Sequence, residues 1–210
     1  MEHHPWAFGW DALVAIGTIL LAIATFAAVF IPIYVENKKK RDADLDKSKR
    51  ASIIAFALIP ELSHAGYFLN SCRQEFVRVL SGYDKEAMVS GLQNLQTPIL
   101  NDVIKLIEIF DYECAKSVLN ARFRLQNFKD LLSSDPVDES AFPYICLGSS
   151  IHTLRSIQSA LQDLSVVANR DYVSPSDWAV AEDEEKVVKW VDTYVHGKRP
   201  FPPWPIGNSQ

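Results

Sequence analysis

The chain has 210 residues, of which 48% are hydrophobic and 22% charged, with a formal net charge of −5 at pH 7. All 21 Lys and Arg fall after residue 35 together with 24 of the 26 Asp and Glu, so that part carries −3. Such a balance argues against nucleic acid as a partner, because a duplex-binding domain needs a basic face to release counterions.

The chain starts with an 11-residue stretch, Met1 to Asp11, that holds no Lys or Arg. From Ala12 to Val35 there follow 24 residues without a charge. About 20 apolar residues in a helix suffice to cross a bilayer, so residues 12–35 read as a transmembrane helix. Lys38, Lys39, Lys40 and Arg41 follow at once. Basic residues in short flanks stay on the cytoplasmic side, which predicts an external N-terminus and a cytoplasmic C-terminal part. Trp6, Trp10 and Tyr34 bracket the run where aromatic rings favour the headgroup layer. A secretory signal would have a basic start and a shorter apolar core, and the run has neither. Thr18 with Ala22, and Ala24 with Ala28, have the spacing of close helix packing, although alanine is abundant here.

Residues 36–50 form a charged neck, and the stretch from Lys38 to Arg50 holds seven basic residues among Asp42, Asp44 and Asp46. Glu36 with Lys40 and Asp46 with Arg50 are acid-before-base pairs at i,i+4, which predict that the helix runs on through the neck. Anionic lipid attraction and topology account for the basic cluster. Ile54, Leu58, Leu62, Ala65, Leu69, Cys72, Phe76 and Val79 then recur at alternating fours and threes, one helical face. Pro60 should kink or divide this helix, and Gly82 should end it.

A shorter helix is expected from about Asp84 to Gln96. Pro98 suits the first turn of the next helix. Ile99, Val103, Leu106, Phe110, Cys114, Val118, Ala121, Leu125, Phe128 and Leu132 predict one continuous stripe that ends before Asp135-Pro136. A further helix spans about Tyr144 to Asn169, with Leu147, Ile151, Leu154, Leu161, Leu164 and Ala168 on its apolar face. Ser174-Pro175-Ser176-Asp177 reads as N-cap, N1 proline and acidic N3 residue of a last helix ending near His196. No alternating β-branched run is long enough for a sheet. The fold class is therefore all-α: one N-terminal transmembrane helix, then residues 51–196 as an antiparallel bundle of four or five helices. The Pro-rich segment 197–210 should be extended, and Arg199, Pro202 and Pro205 match a spacing taken by Pro-binding grooves.

The stretches Arg50 to Cys72 (RASIIAFALIPELSHAGYFLNSC) and Ile107 to Phe128 (IEIFDYECAKSVLNARFRLQNF) follow an N-terminal anchor and a basic neck. In this texture the chain resembles a group of uncharacterised bacterial single-pass membrane-anchored helical proteins. The resemblance implies an anchored helical domain and a bacterial inner membrane, and no activity.

Candidate chemistry is sparse. Glu61 and His64 form Glu-x-x-His on one helix face, an arrangement used twice in di-iron bundles, but a second copy is absent. Capping or core hydrogen bonding is the simpler role for this pair. Ser63 adjoins His64, yet helix neighbours point in different directions. Cys146 and His152 are poorly spaced for mutual contact. Cys72, Cys114 and Cys146 lack any CxxC or Cys-His spacing, so they read as buried reduced thiols. No catalytic signature and no cofactor motif emerge. His3 and His4 stand beside the first Met, without a pocket to serve.

The sequence thus favours a membrane-tethered cytoplasmic helical interaction module, with the lipid bilayer and a protein partner, and a homo-oligomer as a further arrangement. One alternative is a membrane-proximal enzyme or metal-binding bundle using Glu61 and His64. Another is a small defence or immunity component acting through a partner.

Overall fold

The computed structural model describes residues 7–78, 95, 97–134 and 141–196. The chain divides into two units, residues 1–49 and residues 50–210. Every described element is helical. They are α1 (Ala7–Arg78), α2 (Pro98–Asp102), α3 (Tyr112–Ser133), α4 (Phe142–Val167) and α5 (Glu182–His196), with short 3-10 turns between α2 and α3 and before α5. The expected helix 84–96, its boundary at Gly82, and the 197–210 tail with its Arg199/Pro202/Pro205 spacing lie outside the described residues.

In the first unit, α1 carries the uncharged run and the neck. From Leu13 to Arg50 every residue but Ala27 is exposed. Thr18 and Thr25 donate their hydroxyls to the carbonyls of Val14 and Leu21, each at 2.8 Å, so neither polar group faces outward unsatisfied. Phe26 and Phe30 stack at 3.9 Å between ring centroids.

In the second unit, α1 continues through Pro60 without a break in its helical assignment. Of the kink or division expected there, the division does not occur. Pro60 is exposed, and the apolar face beside it is held by the core. Leu58, Leu62, Ala65, Leu69, Cys72 and Phe76 are all buried, as their spacing requires. Burying a Leu or Phe side chain contributes about 1.5–3 kcal/mol, which outweighs one lost main-chain hydrogen bond.

The stripe from Ile99 to Leu132 is not one helix. α2 gives way to two 3-10 turns, and Phe110 is extended (φ −80°, ψ 160°) before α3 starts. Asp111 decides the restart: its Oδ1 accepts from the Cys114 N–H at 2.8 Å, a side-chain N-cap. The apolar period survives the break, because Val103 and Phe110 are buried alongside Cys114 and Val118.

α3 and α4 pack together in opposite directions. Asn120 donates to the Ser156 hydroxyl at 3.2 Å, while Thr153 reaches the Arg124 carbonyl at 3.3 Å. α4 ends in a Schellman turn: Asn169 adopts φ 52°, the Arg170 N–H reaches the Ser165 carbonyl at 2.8 Å, and the Asn169 N–H reaches that of Val166 at 3.1 Å. α4 also meets α5, with Gly148 so near Val191 that an added Cβ would lie 3.0 Å from its Cγ2. His152 contacts Asp192 at 3.0 Å, and Arg155 pairs with Glu185.

The expected N-cap at Ser174 does not start α5. Ser176–Trp178 forms a 3-10 turn, Ala179 is extended, and the helix begins at Glu182. There the Glu184 Oε2 accepts from the Ala181 N–H at 2.7 Å, the returning half of a capping box.

Candidate membrane anchor and docking surfaces

The candidate anchor rests on composition alone. An apolar window within α1 has a mean hydropathy of 2.6, and none of it is buried. A core helix of comparable hydropathy would be covered by other elements, so α1 has one stretch long and apolar enough to cross a membrane. Trp6 lies outside the described residues, while Trp10 falls within α1. Tyr34, Lys38, Lys39, Lys40 and Arg41 are all exposed on α1. Lys40 pairs with Glu36 at 3.4 Å, the i,i+4 contact expected of a helical neck.

Glu61 and His64 meet different surroundings. Both Glu61 oxygens are taken by main-chain donors: Oε1 accepts from the Ile99 N–H at 3.1 Å and Oε2 from the Leu100 N–H at 3.0 Å. A carboxylate from α1 therefore caps the N-terminus of α2, where unpaired N–H groups and the helix dipole favour negative charge. Thr97, the N-cap residue itself, supplies no side-chain bond there. His64 is exposed. Among the described residues no group of three or more His, Cys, Asp and Glu side chains is arranged to hold a metal ion. His152 Nε2 meets Asp192 Oδ1 on α5 at 3.0 Å.

The three cysteines are free and buried. Burial pushes the Cys72 thiol up to about 12, with Glu75 adding to the effect. Burial likewise pushes Cys114 up to about 12, helped by Asp111 and Asp163. Thiols so held are almost entirely protonated at neutral pH and poor nucleophiles.

The polar centre of the second unit lies elsewhere, around Arg73 on α1. Its Nη2 donates to the Asp177 carbonyl at 2.8 Å, and Nη1 to the Ala179 carbonyl at 3.0 Å and the Trp178 carbonyl at 3.5 Å. Its Nε lies 3.5 Å from Glu184 Oε1, a charge contact without an aligned hydrogen bond. Asn70, one turn earlier, donates to Asp177 Oδ2 at 3.2 Å. One arginine thus fastens the segment before α5 onto α1. Trp178 from that segment is 1% exposed, packs on Gly66 and meets Tyr67 edge-on at 5.2 Å. Sequence periodicity missed this centre. The available signal was a base at position 73, flanked by Cys72 and Phe76 on a buried face, together with a Trp inside a polar strap.

The outward face of α3 carries exposed apolar side chains. Tyr112, Leu119 and Phe123 recur at i, i+7 and i+11 and stay exposed, Tyr112 at 75% and Phe123 at 62%. Lys116 sits over the Tyr112 ring at 5.8 Å. Phe56 on α1 is likewise exposed and carries the Arg170 guanidinium 4.0 Å from its centroid.

No family model matches the chain, and neither a curated protein nor a solved structure matches it.

Proposed function

We propose that the chain is a single-pass membrane protein whose helical second unit serves as a cytoplasmic interaction module. The observation that carries this reading is the uncharged, uncovered stretch of α1 beside a unit with a core of its own. The excess of Lys and Arg directly after that stretch supports an external N-terminus and a cytoplasmic second unit. Tethering then acts by raising the local concentration of a protein partner at the membrane, without any new contact. The antiparallel pairings of α3 with α4 and of α4 with α5 support reading residues 51–196 as a bundle of four or five helices. The resemblance to anchored bacterial helical proteins belongs to the same reading and implies a bacterial inner membrane. The enzyme or metal reading draws no support from Glu61, whose oxygens are already engaged.

The α3 face is the surface we assign to the partner. Co-purification of the tagged full-length chain in mild detergent, read by quantitative mass spectrometry, tests this. A partner recovered in stoichiometric amount with the wild type and lost with Phe123→Glu supports the reading. Recovery of the chain alone, or only with itself, rejects a protein partner and turns attention to self-association.

A further inference from the structure

We propose that the groove lined by Tyr34, Asn37, Lys38, Arg41, Asp42 and Leu45 seats the phosphate of an anionic lipid headgroup. The inference rests on reading residues 12–35 as a membrane span. The groove has a volume of about 470 Å³ and follows directly on the apolar run.

Its chemistry follows from helical spacing. Tyr34, Lys38, Arg41 and Leu45 stand at i, i+4, i+7 and i+11, so they share one face of α1. Lys38 and Arg41 have no ion pair among the described residues, whereas Lys40 is engaged by Glu36. The two free cations therefore meet a phosphate without first breaking an internal contact. Arg41 offers a planar fork for two phosphate oxygens, and Lys38 adds a mobile point charge.

Depth and direction agree with this occupant. Lys38 stands about 6 Å and Arg41 about 10 Å along the axis beyond Tyr34, at 1.5 Å per residue. The headgroup layer is roughly 5–7 Å deep on each side of the hydrocarbon. Side chains on an α-helix lean toward its N-terminus, which here is toward the apolar run. Both long cationic side chains accordingly reach back into the headgroup layer while their stems follow the helix. A soluble phosphate would have no need of this position. Asp42 is the one acid lining the groove, and it opposes the anion.

The test uses the full-length chain in phosphatidylcholine vesicles with and without phosphatidylglycerol. Spin-labelled lipids report the preference for phosphatidylglycerol, and resistance to alkaline carbonate reports membrane integration. Lys38→Gln and Arg41→Gln should each lower the preference about fivefold at low salt, with smaller losses at about 1 M salt. Asp42→Asn should raise it. Lys47→Gln with Lys49→Gln, which remove two charges outside the groove, should leave it within twofold. An equal loss from that control pair, or no loss from Lys38→Gln and Arg41→Gln in carbonate-resistant protein, overturns the headgroup seat and leaves the span intact. Extraction of the wild type by carbonate overturns the span reading and the seat with it. Displacement of the preference by excess inorganic phosphate would reassign the groove to a soluble anion and equally overturn the lipid.

Discussion

The Trp178 ring rests directly on Gly66: a Cβ added at Gly66 would lie 2.1 Å from Cη2 of the indole and 2.7 Å from Cζ2. Trp178 is fully buried and cannot swing aside cheaply. Gly66→Ala should therefore destabilise the second unit by about 1–3 kcal/mol, although alanine is the better helix former by about 1 kcal/mol. Trp178→Ala should cost about 3–5 kcal/mol. In the Trp178→Ala background the Gly66→Ala penalty should vanish, because the clash has lost its second party. Denaturant midpoints of the full-length chain in detergent decide this. Additive penalties would show that the two residues do not meet.

Arg73 offers a sharper test, since it is buried together with Glu184. Arg73→Met leaves Glu184 without its cation and three carbonyls without their donors. A loss of about 3–5 kcal/mol is expected, as for other buried pairs broken from one side. Arg73→Lys should recover only part of it, because an ammonium cannot reproduce the guanidinium fork that spans the Asp177 and Ala179 carbonyls. Full recovery by Lys would mean that charge alone matters here.

Glu61 and His64 separate cap from metal ligand. Glu61→Ala should lower stability by about 0.5–2 kcal/mol, the usual cost of a lost helix cap. His64→Ala should stay within about 0.5 kcal/mol, as an exposed residue does. Thermal unfolding with and without added chelator reads both effects. A chelator-sensitive midpoint that disappears in either variant would instead establish metal binding.

The buried thiols predict a pH dependence with a definite sign. Cys72 and Cys114 titrate near 12 when folded, against 9.0 for an ordinary thiol. Well below pH 9 both states keep the proton, and the thiols leave stability unchanged. Between pH 9 and 12 the unfolded chain releases protons that the folded chain retains, so stability falls as pH rises. Replacing Cys72 and Cys114 by Ala should flatten that decline between pH 9 and 12 while lowering stability at pH 7. Native alkylation at pH 8 should be slow and become fast in denaturant. Rapid modification of the folded chain would contradict the burial.

Much of the helical framework was legible because it rests on period. The faces Leu58 to Phe76 on α1, Cys114 to Leu132 on α3 and Leu147 to Leu164 on α4 are buried at the spacings the sequence displays. The continuation of α1 through the charged neck was also readable, from its i,i+4 pairs. The break before α3 was not, because Leu106 and Phe110 keep the apolar period while the main chain leaves the helix. Only the Asp111 cap marked it. The strap before α5 was misread for a related reason. Ser174-Pro175-Ser176-Asp177 has the residues of a helix start, yet α5 takes its cap from Glu184, after an extended Ala179. The Glu61 cap and the Arg73 clamp join residues far apart in the chain, and no local pattern encodes such pairs. The proposed headgroup groove, by contrast, lies wholly within one helix, so its residues could be named from spacing.

Arg73 and Trp178 are separated by 105 positions in the chain. During synthesis at about 5–20 residues per second, roughly 5–20 s pass between their appearances. Throughout that interval Gly66 lacks the indole that packs on it in the folded chain, and Arg73 lacks the carbonyls it binds there. Closure of this part of the second unit thus waits on a residue made 105 positions after Arg73. Strap variants that slow or weaken this late closure should be seen first as lost yield during expression, ahead of any change in the purified protein.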